Sequence, residues 1–221
     1  MIRPAPVTLA ARGWLAEQDE DLRQSILAAA RWKTLARGES LYAVGDEPNG
    51  LFGLEEGFLD IAIPISEDEE VVIHRAPPGL WIGDSALLAG TTRSLTLTAA
   101  TPAQVLALPA AALRRLLAER PQHWPAFAAL AHRNGTLAIQ VLAEALALPP
   151  RARFARLLLR IADSEGNVRA TQEDLGRLAG MSRAAFRRAF GDLIAKGVVQ
   201  LEYAGLRIVD AAALQAEADR R

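Results

Sequence analysis

The sequence predicts an α+β protein in three parts: an N-terminal β-roll of jelly-roll type over 1–122, a long helix over 123–148 and a winged helix-turn-helix over 149–221. Three observations predict it. Glycine-punctuated runs of β-forming residues fill 37–109. A helical apolar repeat then continues from about Trp124 to Leu148. Finally, two short amphipathic helical patterns hinged at Gly180 are followed by two more β-rich runs.

The β-rich region reads RGESLYAVGDEPNGLFGLEEGFLDIAIPI, EEVVIHRAPPGLWIGDSALLAG and TTRSLTLTAATPAQVLALP. Short strands with turn signals at close intervals predict an antiparallel roll or barrel. The acidic tract Glu67 to Glu70 is read as a hairpin tip, where solvated charge costs little, and is assigned no function.

From Ala110 the character changes to helix, with LRRLLAER stopped by Pro121 and the long repeat ending at Pro149 and Pro150. Phe127, Leu130, Asn134, Leu137, Val141, Ala145 and Leu148 recur at steps of three or four, a seam of about seven turns. Such a seam either pairs with a copy of itself or covers the β-roll. In the first case Asn134 meets its two-fold mate across a coiled coil. The run ARFARLLLRIADSEG is a further amphipathic helix, which puts the domain boundary near Leu148 to Arg151.

Within TQEDLGRLAGMSRAAFRRAFGDLIAKG, Thr171 and Asp174 cap a first helix that carries Leu175 and Leu178 on one face. Gly180 breaks it and Ser182 caps a second. Phe186, Phe190, Leu193 and Ile194 recur at helical spacing and are expected to pack inward, leaving Arg183, Ala184, Arg187 and Arg188 facing out. A basic, exposed first turn suits phosphate oxygens and the acceptor edge of guanine in a major groove. The runs VVQLEY and LRIVD around Ala204 and Gly205 read as a small hairpin or wing. A solvated surface helix with ordinary arginines is the bland alternative, but it leaves the joint agreement of caps, hinge, periodicity and wing unexplained.

The net charge of −1 conceals an asymmetry: residues 151–221 hold 13 Lys+Arg against 9 Asp+Glu, while 1–150 hold 12 against 17. The C-terminal part is the end suited to a polyanion. No stretch reaches the ~20 apolar residues that span a bilayer, and the N-terminus lacks the apolar run of a secretory signal, so a cytoplasmic protein without membrane contact is expected. Zero cysteines exclude disulfides, thiolate zinc sites and a cysteine-ligated iron-sulfur cluster. An enzyme of the cupin kind needs clustered histidines and carboxylates for a metal, and the roll offers only His74, with His123 and His132 flanking or on the long helix. No nucleophile-base arrangement stands out either, so no enzyme is expected.

The order of β-roll, long helix, helix-turn-helix and wing resembles the bacterial Crp-Fnr family of transcription regulators. Three segments carry the resemblance: RGESLYAVGDEPNGLFGLEEGFLDI is similar to its opening strands, GLWIGDSALLAGTTRS to its phosphate-binding cassette, and TQEDLGRLAGMSRAAFRR to its DNA-reading helices. The resemblance implies a cyclic-nucleotide-binding-like roll and a homodimer on a two-fold symmetric duplex DNA site upstream of genes, with RNA polymerase as a further partner. It gives Thr171, Ser182, Arg183, Ala184, Arg187 and Arg188 to DNA, and Gly83, Asp84, Ser85, Arg93, Ser94, Ala138 and Ile139 to an effector. The cassette has its own logic. Gly83 allows close backbone approach, Ser85 to Leu88 start a short helix whose amides favour an anion, and Arg93 with Ser94 supplies a fork and a hydroxyl.

Departures from the family pattern are informative. Asp84 stands where nucleotide-binding members carry glutamate for the ribose, and Ala138 and Ile139 stand where cyclic-AMP-responsive members carry hydroxyl residues. Each missing buried hydrogen bond is worth roughly 1–3 kcal/mol. Cyclic AMP, another small effector and a vestigial pocket therefore stay open, as does haem sensing through one of the scattered histidines. On the DNA side Ala184 replaces an acidic residue between Arg183 and Arg188, so the operator is expected to differ from the catabolite-activator consensus. Pro149 and Pro150 are expected to stiffen the hinge. The second reading of the whole chain is a ligand-binding regulatory module without sequence-specific DNA binding.

Overall fold

A computed structural model describes residues 6–66, 69–163, 165–202 and 205–220. The chain forms two compact units, Met1–Ala138 and Ile139–Arg221. The boundary falls inside the long helix, not at its ends as the three-part division expected. The reason is packing, because each half of that helix is tied to a different unit.

The first unit opens with α1 (Thr8–Ala11), a 3-10 turn at Trp14–Glu17 and α2 (Glu20–Ala29). None of the three is among the elements expected from the sequence. The α2 start carries an ordinary signal, since the Asp19 carboxylate accepts from the Leu22 amide at 2.8 Å and Leu22 and Ile26 are buried one turn apart. The Glu55 carboxylate accepts from the amides of Val7 and Thr8 at 2.7 Å and of Leu9 at 3.0 Å, satisfying donors that a helix start leaves free.

Then follow β1 (Arg31–Leu35), β2 (Ser40–Tyr42), β3 (Gly50–Glu56), β4 (Leu59–Pro64), β5 (Glu70–Ala76), β6 (Trp81–Ile82), α3 (Asp84–Ala89), β7 (Thr96–Ala99), β8 (Ala103–Pro109), α4 (Ala110–Glu119) and α5 (Trp124–Ala147). The strands make two antiparallel four-stranded sheets, ordered β1-β8-β3-β6 and β2-β7-β4-β5. This is the expected roll. Strand alternation sends Phe52, Leu54 and Val105 into the roll interior with Tyr42, Leu59, Ile61 and Leu97. Leu51, Leu106 and Leu108 point the other way, against Trp14, Ile26, Leu113 and Phe127 of the covering helices. Strands buried on both faces read as near-continuous apolar runs. The β4–β5 hairpin pairs Leu59 with Ala76 through to Pro64 with Glu70, and Glu67 and Asp68 of the expected acidic tip lie outside the described residues. Within it the buried Arg75 donates twice to Asp60, at 2.7 and 2.9 Å.

In the first half of α5, the expected seam covers the roll. Phe127 and Leu130 are buried in the helix-facing core, Phe127 lying 5.1 Å from Trp14 between ring centroids. Asn134 bonds within the same unit, which corrects its expected pairing with a two-fold mate. In its second half, α5 leaves the large apolar residues Ile139, Leu142 and Leu146 exposed, none of them in the expected seam.

The second unit contains the end of α5, α6 (Pro150–Ile161), β9 (Asn167–Val168), α7 (Gln172–Leu178), α8 (Arg183–Ala195), β10 (Val199–Glu202), β11 (Gly205–Ile208) and α9 (Ala211–Ala218). Its sheet is ordered β10-β11-β9, so the predicted wing forms, and Tyr203 and Ala204 lie outside the described residues. Only Leu148 and Pro149 separate α5 from α6. Arg160 and Arg156 both pair with Glu144 near the end of α5, and Arg153 donates to the Ala145 carbonyl at 3.0 Å. The double proline is therefore reinforced by ion pairs on either side of the joint.

Gly53 faces Trp81 across β3 and β6, and a Cβ there would stand 2.6 Å from the indole Cε2 and 2.9 Å from Leu9 Cδ1. Trp81 has no room to retreat, since it is fully buried with Trp14 packed edge-on at 5.4 Å. Gly53→Ala is expected to destabilise the protein by about 1–3 kcal/mol through overpacking. Thermal melting followed by tryptophan fluorescence checks this.

Candidate functional site

The C-terminal site is built by local rules. Thr171 Oγ1 accepts from the Asp174 amide at 3.1 Å while the Asp174 carboxylate accepts from the Thr171 amide, a complete capping box at the start of α7. Leu175 is buried and Leu178 packs beside it. The chain turns at Gly180 with φ +58°, and Ser182 Oγ accepts from the Ala185 amide at 3.3 Å to cap α8. Phe154 of α6 sets the rotation of α8, its ring lying 5.3 Å from Phe186 and 6.1 Å from Phe190 in edge-on contacts. Ala189 and Leu193 are buried with them.

At about 100° per residue, Arg183, Ala184, Arg187 and Arg188 then fall about 60° to 200° around the helix from Phe186. All four are exposed. Ile194, expected inside, falls about 80° from Phe186 on the same outer arc, and it is exposed. Spacing of four from Phe190 placed it on the stripe, but the stripe is narrower than that.

Charge is distributed unevenly over this unit. Arg151 pairs with Asp192 and Glu217, Arg156 and Arg160 with Glu144, and Arg177 with Asp174. Arg183, Arg187 and Arg188 have no such partner among the described residues. Uncompensated positive charge is thus concentrated on the open face of α8. Glu217 fixes that helix from behind, accepting from Lys196 at 2.8 Å just after α8 and pairing with Arg151 of α6 at 2.8 Å.

The cassette lies in the first unit. Gly83 caps α3 with φ +98°, and a Cβ there would meet Arg93 Nη1 at 2.9 Å. Arg93 is buried and lies across the Tyr42 ring, 4.2 Å from its centroid. Its Nη1 donates to the Gly83 carbonyl at 2.8 Å and its Nη2 to the Gly50 carbonyl at 2.7 Å, so both tips of the expected phosphate fork hold backbone. Burial pulls the guanidinium below its ordinary value against the charges of Tyr42 and Asp84, without approaching neutrality. Nε is buried without a partner among the described residues. Ser85 and Ser94 are exposed.

Asp84 is buried, and its Oδ1 accepts from Asn134 Nδ2 at 2.7 Å. The same amide donates to the Trp81 carbonyl at 3.0 Å. Burial raises the Asp84 carboxyl above the usual range, while bonds from backbone amides and Asn134 and the charge of Arg93 work the other way.

Residues 32–120 match the family profile described as cyclic nucleotide-binding domain, and residues 152–217 match the Crp-like helix-turn-helix domain. The transcriptional regulator LdrP of Thermus thermophilus is 27% identical over 202 residues, covering 84% of this chain and 96% of that one. The chain belongs to the Crp-Fnr family. Its relatives include a CRP-like cAMP-activated global transcriptional regulator of Mycobacterium tuberculosis, 23% identical over 183 residues that span 79% of this chain and 82% of the relative. The crystal structure of a CRP-family transcriptional regulator from Thermus thermophilus superposes with a TM-score of 0.68 at 26% identity, covering 85% of this chain and 97% of that one. FixK2 from Bradyrhizobium japonicum shares the fold with a TM-score of 0.76 at 15% identity, covering 87% and 98%. This Crp-Fnr protein is a DNA-binding transcription regulator.

Within this Crp-Fnr regulator, the helix residue that reaches the cassette is Asn134. Ala138 and Ile139, expected there by resemblance, are exposed. Asn134 was legible only as a polar break in an apolar seam. Asp84 Oδ1 and both Arg93 tips are engaged within the chain, and Arg93 Nε is without a partner among the described residues. The histidines stand apart: His74 is buried in β5, His123 lies 3.1 Å from Asp21 through Nε2, and His132 is exposed. Among the described residues no group of three or more His, Asp or Glu is placed to hold a metal, and no helix is long and apolar enough to cross a membrane.

Burial opposes ionisation of Glu217, but its bond from Lys196 and the charges of Arg151, Arg220 and Lys196 hold the carboxyl below its ordinary value of 4.5. Such a group stabilises the fold above its unfolded-state value and loses that contribution as pH falls through its folded-state value. Glu217→Gln is expected to cost about 1–2 kcal/mol at neutral pH. The difference from wild type should shrink toward zero in acid, as urea titrations at a series of pH values would show.

Proposed function

We propose that this regulator works as a homodimer on a two-fold symmetric duplex site, with α8 of each copy in successive major grooves about 34 Å apart and a small effector at the cassette modulating it. The observation that carries the DNA reading is the open arc of α8, where three arginines lack ion-pair partners among the described residues while Arg151, Arg156 and Arg160 of α6 are ion-paired. A regulatory module that had lost DNA binding would have no use for charge left uncompensated there. The same surface, and the absence of a nucleophile-base arrangement in the sequence, favour a regulator over an enzyme. With Ala184 between Arg183 and Arg188, no carboxylate accepts from a cytosine amino group, so the preferred sequence differs from that of relatives carrying an acid.

Arg183→Ala and Arg188→Ala are each expected to weaken binding to a selected operator by roughly 1–3 kcal/mol and to broaden base preference. Gel shifts on operator and random duplexes check this, and equal losses on both would show that the arginines grip phosphates only.

The dimer reading is supported by Ile139, Leu142 and Leu146, which stand exposed at helical spacing, Leu146 at 80%. Isolated apolar residues are common on surfaces, but a row on one helix face marks a protein contact. Leu142→Asp is expected to shift sedimentation toward the monomer and to weaken operator binding together. A variant that sediments unchanged would move the dimer contact elsewhere.

A further inference from the structure

A groove outside the cassette runs where α3, α4 and the start of α5 meet, all within the first unit. Its floor is the surface of the helix-facing core, formed by the buried Leu87 of α3 and by Leu113 and Leu117 one turn apart on α4. Leu88 flanks the floor half-buried, and Trp124, the first residue of α5, stands 46% exposed at the edge. The groove has a volume of about 390 Å³ and is lined by nine residues. A stable protein contact takes about 20–30 residues a side, whereas small-molecule sites are apolar concavities of roughly 300–1,000 Å³ with a few polar groups.

A single lining residue is charged. Arg114 is exposed and has no ion-pair partner among the described residues. The other arginines of this segment are compensated, Arg115 by Glu119 and Arg120 by Asp21. One guanidinium beside an apolar wall matches a planar carboxylate. A phosphate, with more charge to balance, finds no second cation among the lining residues.

We propose that this groove binds a small apolar carboxylic acid, its chain laid against Leu113, Leu117 and Trp124 and its carboxylate on Arg114. Neither Arg93 nor Tyr42 lines the groove, so the site is separate from the cassette and stands whether or not the cassette holds an effector. The two share α3, which begins at Asp84 in the cassette and reaches the groove at Leu87 to Ala89.

The test titrates octanoate, butyrate and 1-octanol calorimetrically into the full-length protein without DNA. Octanoate should bind wild type saturably and move tryptophan emission to shorter wavelength as Trp124 is covered, a shift that Trp124→Phe should lose. Butyrate, which lacks the chain, and 1-octanol, which lacks the charge, should each bind about tenfold or more weakly than octanoate. Arg114→Gln should weaken octanoate about tenfold and leave 1-octanol within about twofold. Ala118→Trp, which fills the groove from an exposed position, should abolish octanoate binding, and Ala118→Leu replaces it if the larger side chain prevents folding. Absence of saturable octanoate binding by wild type would overturn the site, as would binding that survives the filled groove. Wild type holding 1-octanol as tightly as octanoate would overturn the assignment of a carboxylate.

Discussion

The contact among Phe154, Phe186 and Phe190 governs what this protein can present to its partner. A helix of thirteen residues has no inherent reason to show one face outward. Two phenylalanines one turn apart, stacked at 5.3 Å and met edge-on by a third from α6, remove its freedom to rotate. Once that angle is fixed, the direction of every other α8 side chain follows from helical geometry. The arginines face solvent because the rings cannot.

The second layer of control is electrostatic and lies behind the helix. Glu217 collects charges from Arg151 of α6, from Lys196 just after α8 and from Arg220 just beyond its own helix, so the ring contacts are backed by ion pairs on the side away from the open face. Glu144 does the same at the α5–α6 joint. Carboxylates here neutralise Arg151, Arg156 and Arg160 of α6 and leave Arg183, Arg187 and Arg188 of α8 without an ion pair among the described residues. A net charge near zero over the whole chain is thus compatible with a strongly cationic patch.

The parts of the fold readable in the sequence are those encoded by neighbours in the chain. Thr171 with Asp174, Ser182, and the spacing of the phenylalanines are separated by three or four residues and dictate α7 and α8 without tertiary help. The roll was readable for a related reason, since its strands alternate with turn residues at short intervals. What escaped depends on distant pairs. Asn134 meets Asp84 across 50 residues of sequence, and Glu55 caps α1 across 47; neither partner carries a local sign of the other. Ile194 was misplaced by periodicity because one helical step decides between the edge of a stripe and solvent. The seam of α5 was read as a single face, whereas its two halves answer to different units, and no local pattern announces such a division.

The fit of Gly53 under the Trp81 indole has a bearing on how sequences of this kind diverge. The two positions share one volume, so the lineage is free to change either only when the other yields. Among relatives that carry a small residue at the place of Trp81, the place of Gly53 is released to accept a side chain, and the two columns of an alignment should drift as a linked pair and not separately.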